Sequence, residues 1–347
     1  MSAAAEYTGA DDQLGRGMAV DLDIDLDREL ERYRVELTGY CYRMLGGIHE
    51  AEDAVQEAML RAWKNIDQFN GRSTLRAWLY RIATNVCVDM LRGRKRRALP
   101  MDLVEPSKAT ASLGTPLPEA TWLQPAPDAR VLPALSGGSS PPDPAEHAVA
   151  RESIRLAFVA ALQHLSPRQR AVVILRDVLR WRASEVAQLL DTTVVSVNSA
   201  LQRGRSALAA SRAATQEADL PADPQAQALL ERYIDAFSRF DVDMLVTILH
   251  EDVTVSMPPY SLWLQGLTTV EAFFRTAEDI CRHGYYVPAT PTNGMLAVGH
   301  YKIEPDGHLS ARSIQVVETS AGAIDAIHVF IDPTLFPLFD LPMTRRL

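Results

Sequence analysis

The sequence predicts a multidomain chain: two all-α units joined by a Pro-rich spacer and followed by an α+β unit. Three observations predict it. Apolar residues recur at helical spacing over 28–98 and again over 146–212. Ten of the 21 prolines fall between Pro100 and Pro144, a stretch that includes SGGSSPPDP and has no sustained period. From 225 onward, two helical segments give way to alternating strand patterns. With 347 residues, 47% of them hydrophobic, the chain can bury two or three domain-sized cores.

In the first unit the apolar sets are Leu30, Tyr33, Leu37, Tyr40, Met44; then Ala51, Val55, Ala58, Ala62, Ile66; then Leu75, Trp78, Leu79, Ile82, Val86, Met90. Three helices sharing one core follow. On the third, Arg76, Tyr80, Arg81, Thr84, Asn85 and Arg92 are expected to project away from the apolar stripe at 100° per residue. LRGRKRR comes next, five bases in seven residues. An aromatic and an amide among arginines suit single-stranded bases and phosphates, although a solvated helix face would look much the same.

In the second unit RESIRLAFVAALQHL reads as a helix, and Ser166-Pro167-Arg168-Gln169 as the capped start of the next. SEVAQLLDTTVVSVNSALQRGRSAL reads as helix 184–190, turn 191–195 and helix from Ser196 to about Ala210. Val197, Leu201 and Leu208 fall on one side of that last helix. Ser199, Gln202, Arg203 and Ser206 fall on the other, flanked by Asn198 and Arg205. That is an inventory able to read base edges and phosphates in a major groove, though many apolar helical pairs imitate a helix-turn-helix.

Charge supports partial polyanion binding. The chain carries a formal net charge of -9, yet 28–97 has 14 Lys+Arg against 9 Asp+Glu and 151–212 has 10 against 4. The remainder is acidic, with -6 over residues 1–27 and -7 over 225–347. Residues 1–27 are expected to be disordered. Arg outnumbers Lys 31 to 4, so position rather than abundance is the informative quantity. Cys41, Cys87 and Cys281 are scattered without metal-ligand spacing, so no metal or cofactor is expected and a reduced cytoplasmic setting is the simplest reading. There is no basic n-region or long apolar run, so neither export nor a membrane span is expected.

AEDAVQEAMLRAWKNIDQF with STLRAWLYRIATNVCVDMLRGRKRR resembles region 2 of bacterial sigma factors. LSPRQRAVVILRDVLRWRASEVAQLLDTTVVSVNSALQRGRSAL resembles region 4. With no region 3 between them, the chain resembles the extracytoplasmic-function (ECF) sigma factors of the sigma-70 family. ALLERYIDAFSRFDVDMLVTILHEDVTVSMPPY is similar to SnoaL-like domains of the ketosteroid-isomerase type, an appended arrangement like the sigma G type.

The resemblance implies an assignment for each segment: 28–98 as region 2, 99–145 as linker, 146–212 as region 4, 213–224 as a second linker, and 225–347 as a SnoaL-like (nuclear transport factor 2-like) cone. It implies that Asp53, Gln56, Glu57, Arg61 and Trp63 dock on the β′ clamp helices of the RNA polymerase core. The loop 67–73 and the third helix would melt the -10 element through Trp78, Arg81, Asn85, Arg92, Arg94, Lys95 and Arg96. Ser196, Asn198, Ser199, Gln202, Arg203 and Arg205 would read the -35 element. This turn departs from the family in carrying Asp191 and Val195 where Gly is frequent, and Ala200 where a base is frequent.

In the third unit, Tyr260, Trp263 and His328 are candidates to line a ligand pocket, and an anti-sigma factor or a small ligand is a candidate partner besides promoter DNA. His250, Glu251 and Asp252 cluster, but a polar helix-to-strand corner accounts for them without catalysis. The expected role of 225–347 is regulation of the sigma module, and no enzymatic activity is expected. Two alternatives compete: a helix-turn-helix regulator acting without core polymerase, and a small-molecule SnoaL-type enzyme with a DNA-binding half.

Overall fold

The structure, a computed structural model, describes residues 27–69, 71, 73–133, 144–211, 219–276 and 284–346. The first unit is α1 (Arg34–Leu45), α2 (Ile48–Lys64) and α3 (Leu75–Leu91). The periodic positions Leu37, Tyr40, Met44, Ala51, Val55, Ala58, Ala62, Leu79 and Val86 are all buried, which is why the three helices pack. Gly46 in the left-handed region ends α1, and the Thr74 hydroxyl caps α3 by accepting from Ala77 N at 3.2 Å.

The second unit is α4 (Pro144–Glu152), α5 (Leu156–Gln163), α6 (Pro167–Val173), a π-helical turn Ile174–Val178, α7 (Ala183–Leu189) and α8 (Val194–Ser211). Ser166 and Gln169 form the expected capping box. Asp191 takes the left-handed conformation, with φ 48°, at which its short polar side chain is tolerated. The helix then starts at Val194, two residues before the expected Ser196, because the Thr193 hydroxyl accepts from Ser196 N at 3.1 Å. Val195 is therefore helical and bears no turn strain.

The third unit is α9 (Pro224–Arg239), α10 (Val242–Ile248) and α11 (Leu267–Thr276) against a seven-stranded sheet. The strands are β1 (Leu249–Ser256), β2 (Trp263–Gln265), β3 (Gly284–Thr292), β4 (Met295–Ile303), β5 (His308–Ser320), β6 (Ala323–Phe330) and β7 (Thr344–Arg346). Their order is β2-β1-β6-β5-β4-β3 with β7 beside β5, and only β1–β6 is parallel. This is the expected α+β cone. The expected corner His250–Asp252 instead lies within β1, which begins at Leu249. β2 and β7 are too short to show an alternation.

Both faces of the sheet are buried. Leu296, Val298 and Val317 face a core shared with α9–α11, while Tyr301, Ile314, Val316 and Phe336 join a core that continues through the spacer and both helical units. The spacer, expected to be extended, is packed over its second half: Trp122, Leu123, Ala126 and Val131 are buried, and the Arg97 guanidinium donates to the Glu119 carbonyl at 3.0 Å and to the Trp122 carbonyl. Prolines set an extended backbone with fewer N–H groups to satisfy, so apolar side chains spaced among them can be buried cheaply. The N-terminal 1–26, residues 134–143, residue 212 with the second linker's 213–218, and the end of the expected helix 268–282 beyond Thr276 lie outside the described residues.

The units meet at one turn. Asn293 and Gly294, both at positive φ, join β3 to β4 in the backbone twist that suits a two-residue hairpin. The Asn293 carboxamide, fully buried, accepts from Ala126 N at 2.8 Å and donates to the Tyr42 hydroxyl at 2.8 Å and the Ile154 carbonyl at 2.6 Å; its own N–H donates to the Ala126 carbonyl at 3.0 Å. Gly294 N donates to Asp128 Oδ1 at 2.8 Å. Burial, only partly offset by that hydrogen bond and by Arg151, pushes the Asp128 carboxyl up to about 6.

Asn293→Ala should lower unfolding free energy by about 2–4 kcal/mol, because it strands buried partners and removes the short polar side chain that makes the left-handed conformation tolerable at this position. Urea titration measures that loss, and small-angle scattering should show the radius of gyration rising. The raised Asp128 pKa means that the native state holds a proton the unfolded chain releases. Stability therefore falls as pH rises from about 4 to about 6, with up to about 3 kcal/mol lost. Asp128→Asn should flatten that segment of the stability–pH curve.

Candidate nucleic-acid interface

Asp53, Gln56, Glu57, Arg61 and Trp63 are exposed on one side of α2, since residues three and four apart share a helix face. Glu57 and Arg61 pair at 2.6 Å. Leu60, 46% exposed, joins the same face beside Trp63, also 46% exposed. It is absent from the sequence-based set although its departure from the stripe Ala51, Val55, Ala58, Ala62 marks it: an apolar side chain on a polar face is the signal.

On α3, Arg81 and Asn85 are exposed, with Arg92 just past its end, while Trp78 is half-buried with its ring 5.4 Å from that of Phe69. The loop 67–73 is described only in part. Two residues expected on this outer face are not on the surface. Tyr80 is fully buried, donating to Glu36 at 2.9 Å, with its ring 5.0 Å from both Tyr40 and Trp181. Thr84 is buried, bonded to the Tyr40 hydroxyl at 2.8 Å. The reason is tertiary: Trp181, just before α7 of the second unit, covers this side of α3. The Arg76 guanidinium, paired with Glu36, lies 5.6 Å from the Tyr80 ring centre and 5.3 Å from that of Trp181, within cation–π range of both.

The basic tail after α3 is partly committed. Arg94 pairs with Glu50 at 2.5 Å, Arg96 contacts the His164 imidazole, and Arg92 lies 3.4 Å from Asp89. Lys95 is exposed, and no partner for it occurs among the described residues. The tail is therefore an anchored strand carrying a few exposed cations, where a frayed basic end would be the simple expectation.

On α8, Ser196, Asn198, Gln202 and Arg203 are exposed and Ser199 is half-exposed, so the structure brings these together. Arg205 is held apart from them in a two-point ion pair with Asp177, at 2.9 and 2.6 Å. While that pair holds, a forked guanidinium engaged by a carboxylate has fewer donors to offer a base, although at 61% exposure the pair is a weak surface one. Gly204 allows the close packing of α8 on α6, since a β-carbon there would sit 2.6 Å from a Val173 methyl.

Region-to-region contact continues behind these surfaces. The buried Arg170 guanidinium donates to the Met44 carbonyl in the last turn of α1, to Gln163 Oε1 at 2.6 Å and to the Leu165 carbonyl at 3.2 Å. Burial pulls its pKa down to about 10, so it stays charged at neutral pH.

Residues 30–97 match the Sigma-70 region 2 family, and 155–208 match Sigma-70, region 4. The chain is 43% identical over 330 residues to the ECF RNA polymerase sigma factor SigG of Mycobacterium tuberculosis, covering 94% of this chain and 87% of that one. The chain belongs to the ECF sigma factors of the sigma-70 family. It is also 31% identical over 176 residues to SigW of Bacillus subtilis, across 51% of this sigma factor and 82% of that one. The crystal structure of M. tuberculosis SigJ superposes with a TM-score of 0.55 at 24% identity, over 92% of this chain and 99% of that chain, and so shares the fold.

Of the candidate pocket residues of this sigma factor's third unit, Trp263 and His328 flank Ser256 in register on β2 and β6, but none of the three lines the cavity of the cone. Trp263 donates to the Val104 carbonyl at 2.9 Å, Tyr260 packs on the outer part of the cone core, and His328 is buried against Ser256 at 2.8 Å. His328 also approaches Glu318 at 3.5 Å, and Glu318 pairs with Arg155 of the region 4 unit at 3.2 Å. Burial would raise the Glu318 carboxyl, but His328 and then Arg155 outweigh it and hold the pKa below the ordinary value. This interdomain ion pair has no sequence signal, since Glu318 and Arg155 are ordinary charged residues until folding juxtaposes them. Among the described residues no group of three His, Cys, Asp or Glu side chains could hold a metal, and no helix is long and apolar enough to cross a membrane.

Trp181→Ala should lower stability by about 3–5 kcal/mol, as for other large buried aromatics. Amide hydrogen exchange across residues 80–85 should accelerate more than exchange in α2; equal acceleration throughout would contradict the role given to the Tyr80–Trp181 contact.

Proposed function

We propose that this sigma factor binds core RNA polymerase through the α2 face, melts the -10 element with α3 and reads the -35 element with α8, working in the cytoplasm without catalysis of its own. The observation that carries the reading is the coexistence, on one chain, of two separate exposed sets. One is Leu60 and Trp63 among charges on α2, an apolar centre with a polar rim as partner surfaces have. The other is Ser196, Asn198, Gln202 and Arg203 on α8, short polar groups plus a guanidinium with no partner among the described residues, at the start and middle of a second helix. A repressor acting alone would need only the second.

Asp53, Gln56, Glu57, Arg61 and Trp63 are assigned to the clamp helices, with Leu60 added. Trp78, Arg81, Asn85, Arg92 and Lys95 are assigned to the melted strand, where stacking and phosphate contacts offset unstacking of the promoter bases. The segment divisions 28–98, 99–145, 146–212, 213–224 and 225–347 serve as functional units, with the qualification that the spacer and region 4 share one core with the sheet.

The arrangement supports a closed state that must open. Trp181 covers Tyr80, and Asn293 ties region 2, the spacer and region 4 to the C-terminal domain, so the two DNA-binding helices are held in one body. The C-terminal domain acts here through the Asn293 contacts with region 2, the spacer and region 4. Direct electrostatic cover of α8 receives no support, because Ser196, Asn198, Gln202 and Arg203 stay exposed.

Transcription in vitro with purified core polymerase tests this: initiation at a selected promoter should require both core and the chain. Arg203→Ala should weaken -35-dependent initiation by about 1–3 kcal/mol equivalent, with discrimination between matched and scrambled -35 sequences reduced. Duplex footprints without core, and no stimulation of core, would favour the lone regulator instead.

A further inference from the structure

The concave side of the C-terminal sheet encloses a cavity of about 50 Å³. Its body is aromatic, formed by Phe237, Phe273, Phe274 and Tyr286. Its other end is polar. His300 is buried, stacked on Tyr286 with rings 4.4 Å apart and bonded through Nδ1 to Ser313 at 3.1 Å. Burial, then the charge of Arg312, pushes the His300 pKa down to about 3, so the imidazole is neutral. Arg312 lines the same space, half-buried, and has no ion pair or hydrogen bond among the described residues. A partly desolvated guanidinium without a counter-charge beside an aromatic cavity is an unmet requirement for an anion.

One part of the remaining wall comes from outside the C-terminal domain. Leu113 of the interdomain spacer packs into the core of the cone and lines the cavity, with Ala109 and Ala111 beside it. The spacer is pinned on either side: Ser107 N donates to the Trp263 carbonyl at 2.7 Å, and Leu117 N to the Pro259 carbonyl at 2.9 Å. Between the pins, Leu113 is followed by Gly114 at φ 73°, whose conformation lets the chain turn away again. The space left is about that of one or two waters, whereas small-molecule sites run to roughly 300 Å³ and more. Leu113 thus occupies the place that the apolar part of a ligand would take.

We propose that the cone is a binding site for a small aromatic or alicyclic carboxylate, whose ring displaces Leu113 into solvent and whose carboxylate pairs with Arg312. The aromatic body selects a flat or compact apolar ring, the lone guanidinium selects an acid over a neutral analogue, and the neutral His300 adds no second positive charge. Since the displaced segment leads directly to Trp122 and Ala126, which pack on region 2 and on Asn293, binding loosens the spacer that holds the two DNA-binding regions together. Binding itself needs no polymerase, so its failure leaves the sigma reading intact.

The test uses the full chain, with 2-naphthoate as probe and its neutral isostere 2-naphthamide as control, followed by calorimetry. Naphthoate should bind about tenfold or more tightly than the amide, the worth of one charge-assisted pair. Arg312→Gln should bring naphthoate to the level of the amide and leave the amide unchanged. Leu113→Ala should tighten both several-fold, because the competitor is gone. Trypsin cleavage after the exposed Lys108, in the pinned segment, should speed up when naphthoate is bound. Equal affinity for acid and amide, no binding by the Leu113→Ala chain, or unchanged cleavage at Lys108 at saturating naphthoate would each overturn the proposal.

Discussion

A single buried carboxamide holds this molecule in the form described. Asn293 satisfies a donor and an acceptor on the spacer, a phenol from region 2 and a carbonyl from the segment leading into region 4; without the carboxamide the Ala126 N–H and the Ile154 carbonyl would lose this partner inside an apolar core, while the Tyr42 hydroxyl would keep its bond to the Gln124 carbonyl. Its energetic weight is asymmetric. Each bond contributes modestly, but losing the carboxamide takes this partner from both buried backbone groups at once. The positive φ that lets the carboxamide reach all of them is one that Asn and Gly adopt readily, which fits the Asn-Gly pair at the hairpin tip.

From that constraint follows the relation between the DNA-binding surfaces. Although a Pro-rich spacer separates region 2 and region 4 in sequence, Arg170 reaches the C-terminal end of α1, and Trp181 closes over Tyr80 and Arg76. The result is partial cover: the far side of α3 keeps Arg81 and Asn85 available while its near side is spent on packing. Polymerase binding to the α2 face is compatible with this form, since Leu60 and Trp63 remain exposed. Spreading region 2 and region 4 along a promoter is not, because it requires the shared core to part. On the proposed reading, the C-terminal domain bears on promoter opening through the contacts it makes with the spacer and both helical units.

The spacer connects these two levels. Its first half crosses the mouth of the cone, and its second half fills the junction between the helical units and the outer sheet face. A segment poor in N–H donors is suited to both tasks, because it can lie against apolar surface without leaving many polar groups unsatisfied. Any event that moves one half is mechanically coupled to the other through fewer than ten residues of extended chain between Leu113 and Trp122.

Periodicity, capping residues and charge placement in the sequence alone determined the helices of regions 2 and 4, the Ser166–Gln169 start of α6, the α+β character of the C-terminal unit and the polar face of α8, while the α2 set followed from the resemblance to region 2. These are local properties: a helix face or a cap is specified by residues three or four apart, which sequence displays directly. Tertiary structure alone decided that Tyr80 and Thr84 are covered, that Arg205 is spent on Asp177, that the prolines pack, and that Leu113 rather than Tyr260, Trp263 or His328 reaches the cavity. The role of the Asn-Gly tip was not readable, since Tyr42 and Asn293 are 251 positions apart. Such contacts depend on which surfaces meet when separate helical units and a sheet bury their remaining apolar area together, and no spacing within a single segment encodes that.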